Sequence, residues 1–120
     1  MSLPDDLGAE EYAYLTTRGR RTGRPHTIEI WFAAVGTTVW MISGGGTSSD
    51  WTANLLADPA VTVRIGSRTF SGRARTDAGD AGEAAVARRR LAARYQGWEE
   101  GHPLSSWATT GLAVAVDLEL

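Results

Sequence analysis

Apolar and polar residues alternate with a period of two in stretch after stretch of this chain, and that period narrows the available folds more than any other property. Ile28, Ile30 and Phe32 fall on one face of the run 26–34, with Thr27, Glu29 and Trp31 on the other. Val61, Val63 and Ile65 alternate with Thr62 and Arg64, and Leu112, Val114, Val116, Leu118 and Leu120 alternate with polar or small residues. Successive side chains of a strand point to opposite faces, so each run reads as a strand with one face toward a core. Residues 12–18, mixing tyrosine, leucine and threonine, and 39–43, ending at Ser43, have the composition of two more strands. A sixth is 68–76, where Phe70 and Ala74 share a face. Gly36 and Gly66 suit hairpins that fold 26–34 onto 39–43 and 61–65 onto 68–76.

Two segments follow the helical period instead. Ser49 or Asp50 is a natural N-cap for a short helix through Asn54, Leu55 and Leu56, which Asp58-Pro59 ends. From Asp80 to Tyr95, Ala84, Ala87, Leu91 and Tyr95 line one face, Asp80 and Glu83 have capping-box spacing, and Arg88, Arg89, Arg90 and Arg94 are expected to face solvent. Residues 97–110 read as irregular. The prediction is one domain over residues 1–120, mainly β in an α+β arrangement: a small six-stranded antiparallel barrel with a short helix after the third strand and a longer one before the last.

Composition removes several classes of function. A formal net charge of -2 argues against nonspecific nucleic-acid binding. The absence of cysteine excludes disulfides, thiolate metal sites and cysteine nucleophiles, and with two histidines no metal is expected. No apolar run approaches the roughly 20 residues that cross a bilayer, and the N-terminus lacks a secretory pattern, so a cytoplasmic location is expected. Five tryptophans in 120 residues either fill the core or form flat surfaces for a ring system or a partner subunit, which keeps a homodimer open.

The chemistry-bearing residues cluster in three places. In 16–26, Arg18, Arg20, Arg21, Thr22, Arg24 and His26 surround Gly19 and Gly23, which reads either as a solvated hairpin or as an anion site. Ser43-Gly44-Gly45-Gly46 is either a connector or a second anion-binding nest. Trp51 and Asn54, three residues apart, share a helix face, where they either meet a ligand or serve the core and a nearby backbone group. No Ser, His and Asp spacing argues for a triad.

Taken together, the run 15–25, Ser43-Gly44-Gly45, Trp51-Thr52-Ala53-Asn54-Leu55 and Asp58-Pro59-Ala60-Val61-Thr62-Val63 resembles the deazaflavin-dependent nitroreductase and quinone reductase family. The resemblance implies an FMN-binding-like split β-barrel and an oxidoreductase. Such an enzyme uses reduced coenzyme F420 to deliver hydride to a small apolar acceptor: a quinone, nitroaromatic or activated alkene. It implies that Arg20, Arg21, Thr22 and His26 meet the phosphate and acidic tail of the cofactor. Ser43, Gly44 and Gly45 match the second cofactor loop, and Trp51 and Asn54 lie near the ring. Tyr95, Trp98 and Trp107 stand where the family often places substrate-facing tyrosines. His26 and Gly44 replace basic residues frequent in the family, which reduces the charge offered to a polyanionic tail. FMN is therefore the alternative cofactor, and a noncatalytic cofactor-storage protein the alternative function.

Overall fold

A computed structural model describes residues 5–76 and 81–119. Its one sheet has seven strands: β1 (Ala13–Arg18), β2 (Pro25–Ile30), β3 (Ala33–Val35), β4 (Thr38–Ser43), β5 (Ala60–Ile65), β6 (Arg68–Thr76) and β7 (Leu112–Glu119). All pairings are antiparallel, in the order β2-β1-β5-β6-β7-β4-β3. Among the described residues four α-helices accompany it, α1 (Asp5–Gly8), α2 (Asp50–Ala57), α3 (Ala81–Gln96) and α4 (Ser106–Thr110), with a 3-10 turn at Gly46–Ser48. Both hairpin glycines adopt the expected left-handed backbone, Gly36 with φ 62° and Gly66 with φ 60°.

The sheet has to curl, because β2 and β3 are its opposite edges yet only Trp31 and Phe32 separate them. Seven flat strands would hold their outer edges about 29 Å apart at the usual spacing. The three residue steps from Ile30 to Ala33 reach about 11 Å at most. Among the described residues no ladder joins β2 to β3, so the barrel remains split along that line.

The expected single strand 26–34 is thus two strands, which raises the count from six to seven. Side chains of α3 replace the ladder at the break: the Phe32 carbonyl accepts from Arg94 Nη1 at 2.6 Å and from the Tyr95 hydroxyl at 3.0 Å. The Phe32 N–H donates to the same hydroxyl at 3.1 Å. Phe32 is fully buried as its parity predicts, whereas Ile28 and Ile30, on an edge strand, are half-buried.

The interior of the barrel is filled by Leu15, Phe32, Val39, Met41, Val63, Ile65, Phe70, Val114 and Val116. β4 and β7 are buried on both faces, since α3 covers their outer side. Ala84, Ala87 and Leu91 pack there against Trp40, Ile42, Ala113 and Ala115, the small residues allowing a close approach. The helix face expected from the 3.6 period is therefore the one used.

Two of the arginines expected in solvent also bind backbone carbonyls, Arg88 half-buried and Arg94 still exposed. Arg94 also reaches the Glu10 carbonyl, and Arg88 Nη1 donates to the carbonyls of Ala108, Thr109 and Gly111 at the end of α4. Carbonyls at a helix C-terminus lack partners within the helix, so a cation is favoured there. Arg89 and Arg90 are exposed. The cap expected from Asp80 and the end of the last strand at Leu120 lie outside the described residues. Helix α4 falls within a segment expected to be irregular; it is one short turn capped by Ser105, whose Oγ accepts from the Ala108 N–H.

Arg75 ties the outer face together. Its guanidinium donates to Asp117 at 2.7 and 3.0 Å and to Glu83 at 2.9 and 3.2 Å. Trp40 Nε1 also donates to Glu83, and the Thr38 hydroxyl to Asp117. Hydrogen bonds from Arg75 are the main reason both carboxyls lie below their ordinary pKa. The unfolded chain therefore takes up protons first, and the stabilisation is present above about pH 4 and lost as pH falls through the lower folded values. Arg75→Ala is expected to cost about 1 kcal/mol, held to that size by solvent screening, and to flatten the decline of stability as pH falls below about 4 in urea titrations.

Candidate functional site

The arginine-rich turn joins β1 to β2 and shapes itself through its own backbone. The Gly19 N–H donates to the Arg24 carbonyl at 2.7 Å, and the Gly23 N–H donates to the Gly19 carbonyl at 2.8 Å. Gly23 has φ 74°, and the Arg24 N–H donates to Thr22 Oγ1. Those three amides are spent inside the turn and are not offered to an anion. The side chains of Arg18, Arg21 and Arg24 are exposed and make no hydrogen bond or ion pair among the described residues. His26 is exposed at the base of the turn, its ring against Gly19, where a Cβ would come within 2.7 Å of Nε2.

Arg20 points back to α2. Its N–H and Nη1 both donate to Asn54 Oδ1, at 3.2 and 2.8 Å, and Nη2 pairs with Asp50 at 3.3 Å. Asn54 Nδ2 in turn donates to Thr17 Oγ1 at 3.2 Å. The loop before α2 is locked in a similar way. Ser43 Oγ is bonded to the Gly46 carbonyl and Ser49 Oγ, and Thr52 Oγ1 donates to the carbonyls of Gly46 and Ser49. Trp51 packs half-buried against the barrel core.

The loop opens onto an aromatic hollow. A Cβ on Gly44 would meet Trp107 Cδ1 at 3.1 Å, so the missing side chain lets the indole close on the loop. Trp107 meets Trp31 edge-on at 5.4 Å, and Trp31 stacks on Tyr95 with ring centroids 4.6 Å apart. Trp31 and Trp107, with Tyr12, Glu29, Ile30 and Ile42, line a hollow of about 360 Å³. The Tyr95 hydroxyl is committed elsewhere: it accepts from the Phe32 N–H and shares its proton between the carbonyls of Glu11, at 2.7 Å, and Phe32. Burial raises its pKa, and the Glu11 carboxylate raises that of Tyr12.

Residues 5–119 match the F420H(2)-dependent quinone reductase family. The chain belongs to that family. It is accordingly an oxidoreductase that uses reduced coenzyme F420. No curated protein matches the sequence. Among solved structures, it is similar to an F420 reductase at 20% identity and a TM-score of 0.67, with 98% of this chain and 97% of that one covered. A conserved hypothetical protein from Mycobacterium tuberculosis has 19% identity and a TM-score of 0.74, with coverage of 97% and 78%. An FAD-binding protein from Mesorhizobium loti has 19% identity and a TM-score of 0.65, with coverage of 95% and 85%. At these identities the structures establish the fold alone.

Most of the residues that the family resemblance singled out form one chain of contacts. It runs from the turn with Arg20, Arg21, Thr22 and His26, through Asn54 to α2 and Trp51, and back along Ser43, Gly44 and Gly45 to Trp107. Trp31 then links Trp107 to Tyr95. Trp98 stands apart: its Nε1 donates to the His102 carbonyl, beside a separate hollow in the loop after α3.

Five lining residues of the aromatic hollow were not anticipated as site residues: Tyr12, Glu29, Ile30, Trp31 and Ile42. Trp31 carried a legible signal, since a tryptophan on the polar face of an alternating strand needs something to cover it. Tyr95→Phe is expected to cost about 1–3 kcal/mol in urea unfolding, because the buried Phe32 N–H and the carbonyls lose their shared partner. An unchanged midpoint would show that the hydroxyl does not fasten the β2–β3 step.

Proposed function

We propose that this F420-dependent reductase reduces a flat quinone-like or nitroaromatic acceptor held in the hollow that Trp31 and Trp107 line, with the cofactor's anionic tail against the arginine turn. The observation that carries this reading is the continuous path of contacts between the turn and the hollow. A volume of about 360 Å³ suits a bicyclic ring, and two indoles supply apolar faces for it.

The donor set fits the cofactor's charge. Arg18, Arg21 and Arg24 present guanidinium groups with no carboxylate partner among the described residues, which leaves them free for phosphate and carboxylate oxygens. Arg20, already bonded to Asn54 and Asp50, contributes less. When bound, F420H2 supplies the hydride, and the protein's task is to orient, exclude water and manage a proton. The hydroxyls of Ser43 and Tyr95 are occupied by internal bonds. Tyr12 and Glu29, both lining the hollow, are the titratable groups positioned to exchange a proton with an acceptor there.

Two measurements test the reading. Fluorescence titration with F420 and FMN in parallel should show binding of F420; Arg21→Ala should weaken it by about 1–3 kcal/mol, the range for a charge-assisted hydrogen bond. Equal affinity of the variant removes Arg21 from the tail site, and preference for FMN sinks the cofactor assignment. With F420H2 and menadione, Trp31→Ala should raise KM about tenfold through lost stacking surface. If menadione, a nitroaromatic and an activated alkene all fail to oxidise F420H2, the acceptor assignment is wrong.

A further inference from the structure

Asn54 is 2% exposed, and Thr17 beside it is 1% exposed. The amide oxygen accepts twice from Arg20, using both of its lone pairs, while the amide nitrogen donates to Thr17. We propose that Asn54 is a positioning residue for the cofactor's anionic tail: it fixes the arginine turn against α2 without touching the cofactor. The inference rests on the reading of that turn as the tail site.

The turn's internal bonds between Gly19, Gly23 and Arg24 set its shape but leave its tilt toward α2 open. Among the described residues, hydrogen bonds from the Arg20 N–H and guanidinium to the side chains of Asn54 and Asp50 fasten it there. The Asp50 side chain is 88% exposed, so water and salt screen that pair. The Asn54 bonds are sheltered, and α2 itself is anchored in the core through Leu55.

Four like charges sit on or beside the turn, at Arg18, Arg20, Arg21 and Arg24. The four on the turn repel one another, and a turn held only by its own bonds would present them in many arrangements. Binding would then have to order them. A buried amide that holds the backbone N–H of Arg20 removes that cost before the ligand arrives. It also explains an asparagine here: its oxygen serves a backbone N–H and a guanidinium while its nitrogen serves a hydroxyl, a combination that neither a carboxylate nor an apolar residue reproduces without change.

The test compares F420 with its deazaflavin riboside, which has the same ring but no phosphate or glutamyl tail, by fluorescence titration of the full chain. Asn54→Leu should raise the Kd for F420 about tenfold, as for one lost hydrogen bond, and that for the riboside less than about twofold. The Arg20 amide should also exchange its hydrogen faster. Asn54→Asp keeps the acceptor for Arg20, and the Thr17 hydroxyl can turn to donate to it, so F420 affinity should stay within about threefold of the parent.

Equal weakening of both ligands by Asn54→Leu would mean that Asn54 serves the ring, and unchanged F420 affinity would mean that the turn needs no anchor; either result overturns the proposal. If Asn54→Leu does not fold, Asn54→Asp decides: retained affinity with a protected Arg20 amide supports the anchor, and a tenfold loss overturns it. Arg21→Ala separates the two levels. Selective loss of F420 in that variant alone leaves the tail site standing and refutes the role of Asn54, whereas loss in neither variant refutes the tail site itself.

Discussion

The two-residue step from β2 to β3 is the constraint on which the rest of this structure depends. Because the strands on either side of Trp31 and Phe32 are opposite edges of one sheet, the sheet must curl until those edges are neighbours. The peptide of Phe32 leaves the ladder there, and a buried peptide group without a partner is costly. Arg94 and Tyr95 from the end of α3 supply the missing partners, which sets the helix across the outer faces of β4 and β7. The same step drives Phe32 inward and leaves Trp31 outside, stacked on Tyr95.

That arrangement couples the core to the site. Trp31 is held by the residue that secures the barrel's split, and it forms with Trp107 the aromatic lining of a hollow beside the glycine loop. On the other side, α2 connects the loop to the arginine turn through bonds of Ser43, Thr52 and Asn54. Several polar residues that looked like ligand contacts are thus internal fasteners. What they leave available are the exposed arginines of the turn and the indoles that line the hollow, the cationic end and the apolar end on which the proposed binding of cofactor and acceptor rests.

Much of the fold was legible because strand parity and helical spacing are local properties. Val61, Val63 and Ile65 are buried where their alternation puts them, and Ala84, Ala87 and Leu91 meet the sheet as their spacing requires. The run 26–34 was not legible as two strands, since alternation continues unbroken through Trp31 and Phe32 and nothing local marks a change of partner. The carbonyl contacts of Arg88 and Arg94 were hidden for a related reason. Their carbonyl acceptors lie about 20 and 62 to 84 positions away in sequence.

The sequence by itself determined most of the strands and the two longer helices, where the glycine turns fall, and that cationic, glycine-rich and tryptophan–asparagine motifs occur in the order of an F420-dependent family. Only the tertiary structure decided what those motifs do to one another: that Asn54 is spent on Arg20 and Thr17, that Ser43 and Tyr95 are spent on backbone groups and a neighbouring serine, and that Trp31 belongs beside Trp107. Residue type and spacing say which groups can donate, accept or stack. Whether a group is still free to meet a ligand depends on partners brought from distant parts of the chain, and those partners are chosen by the curl of the sheet.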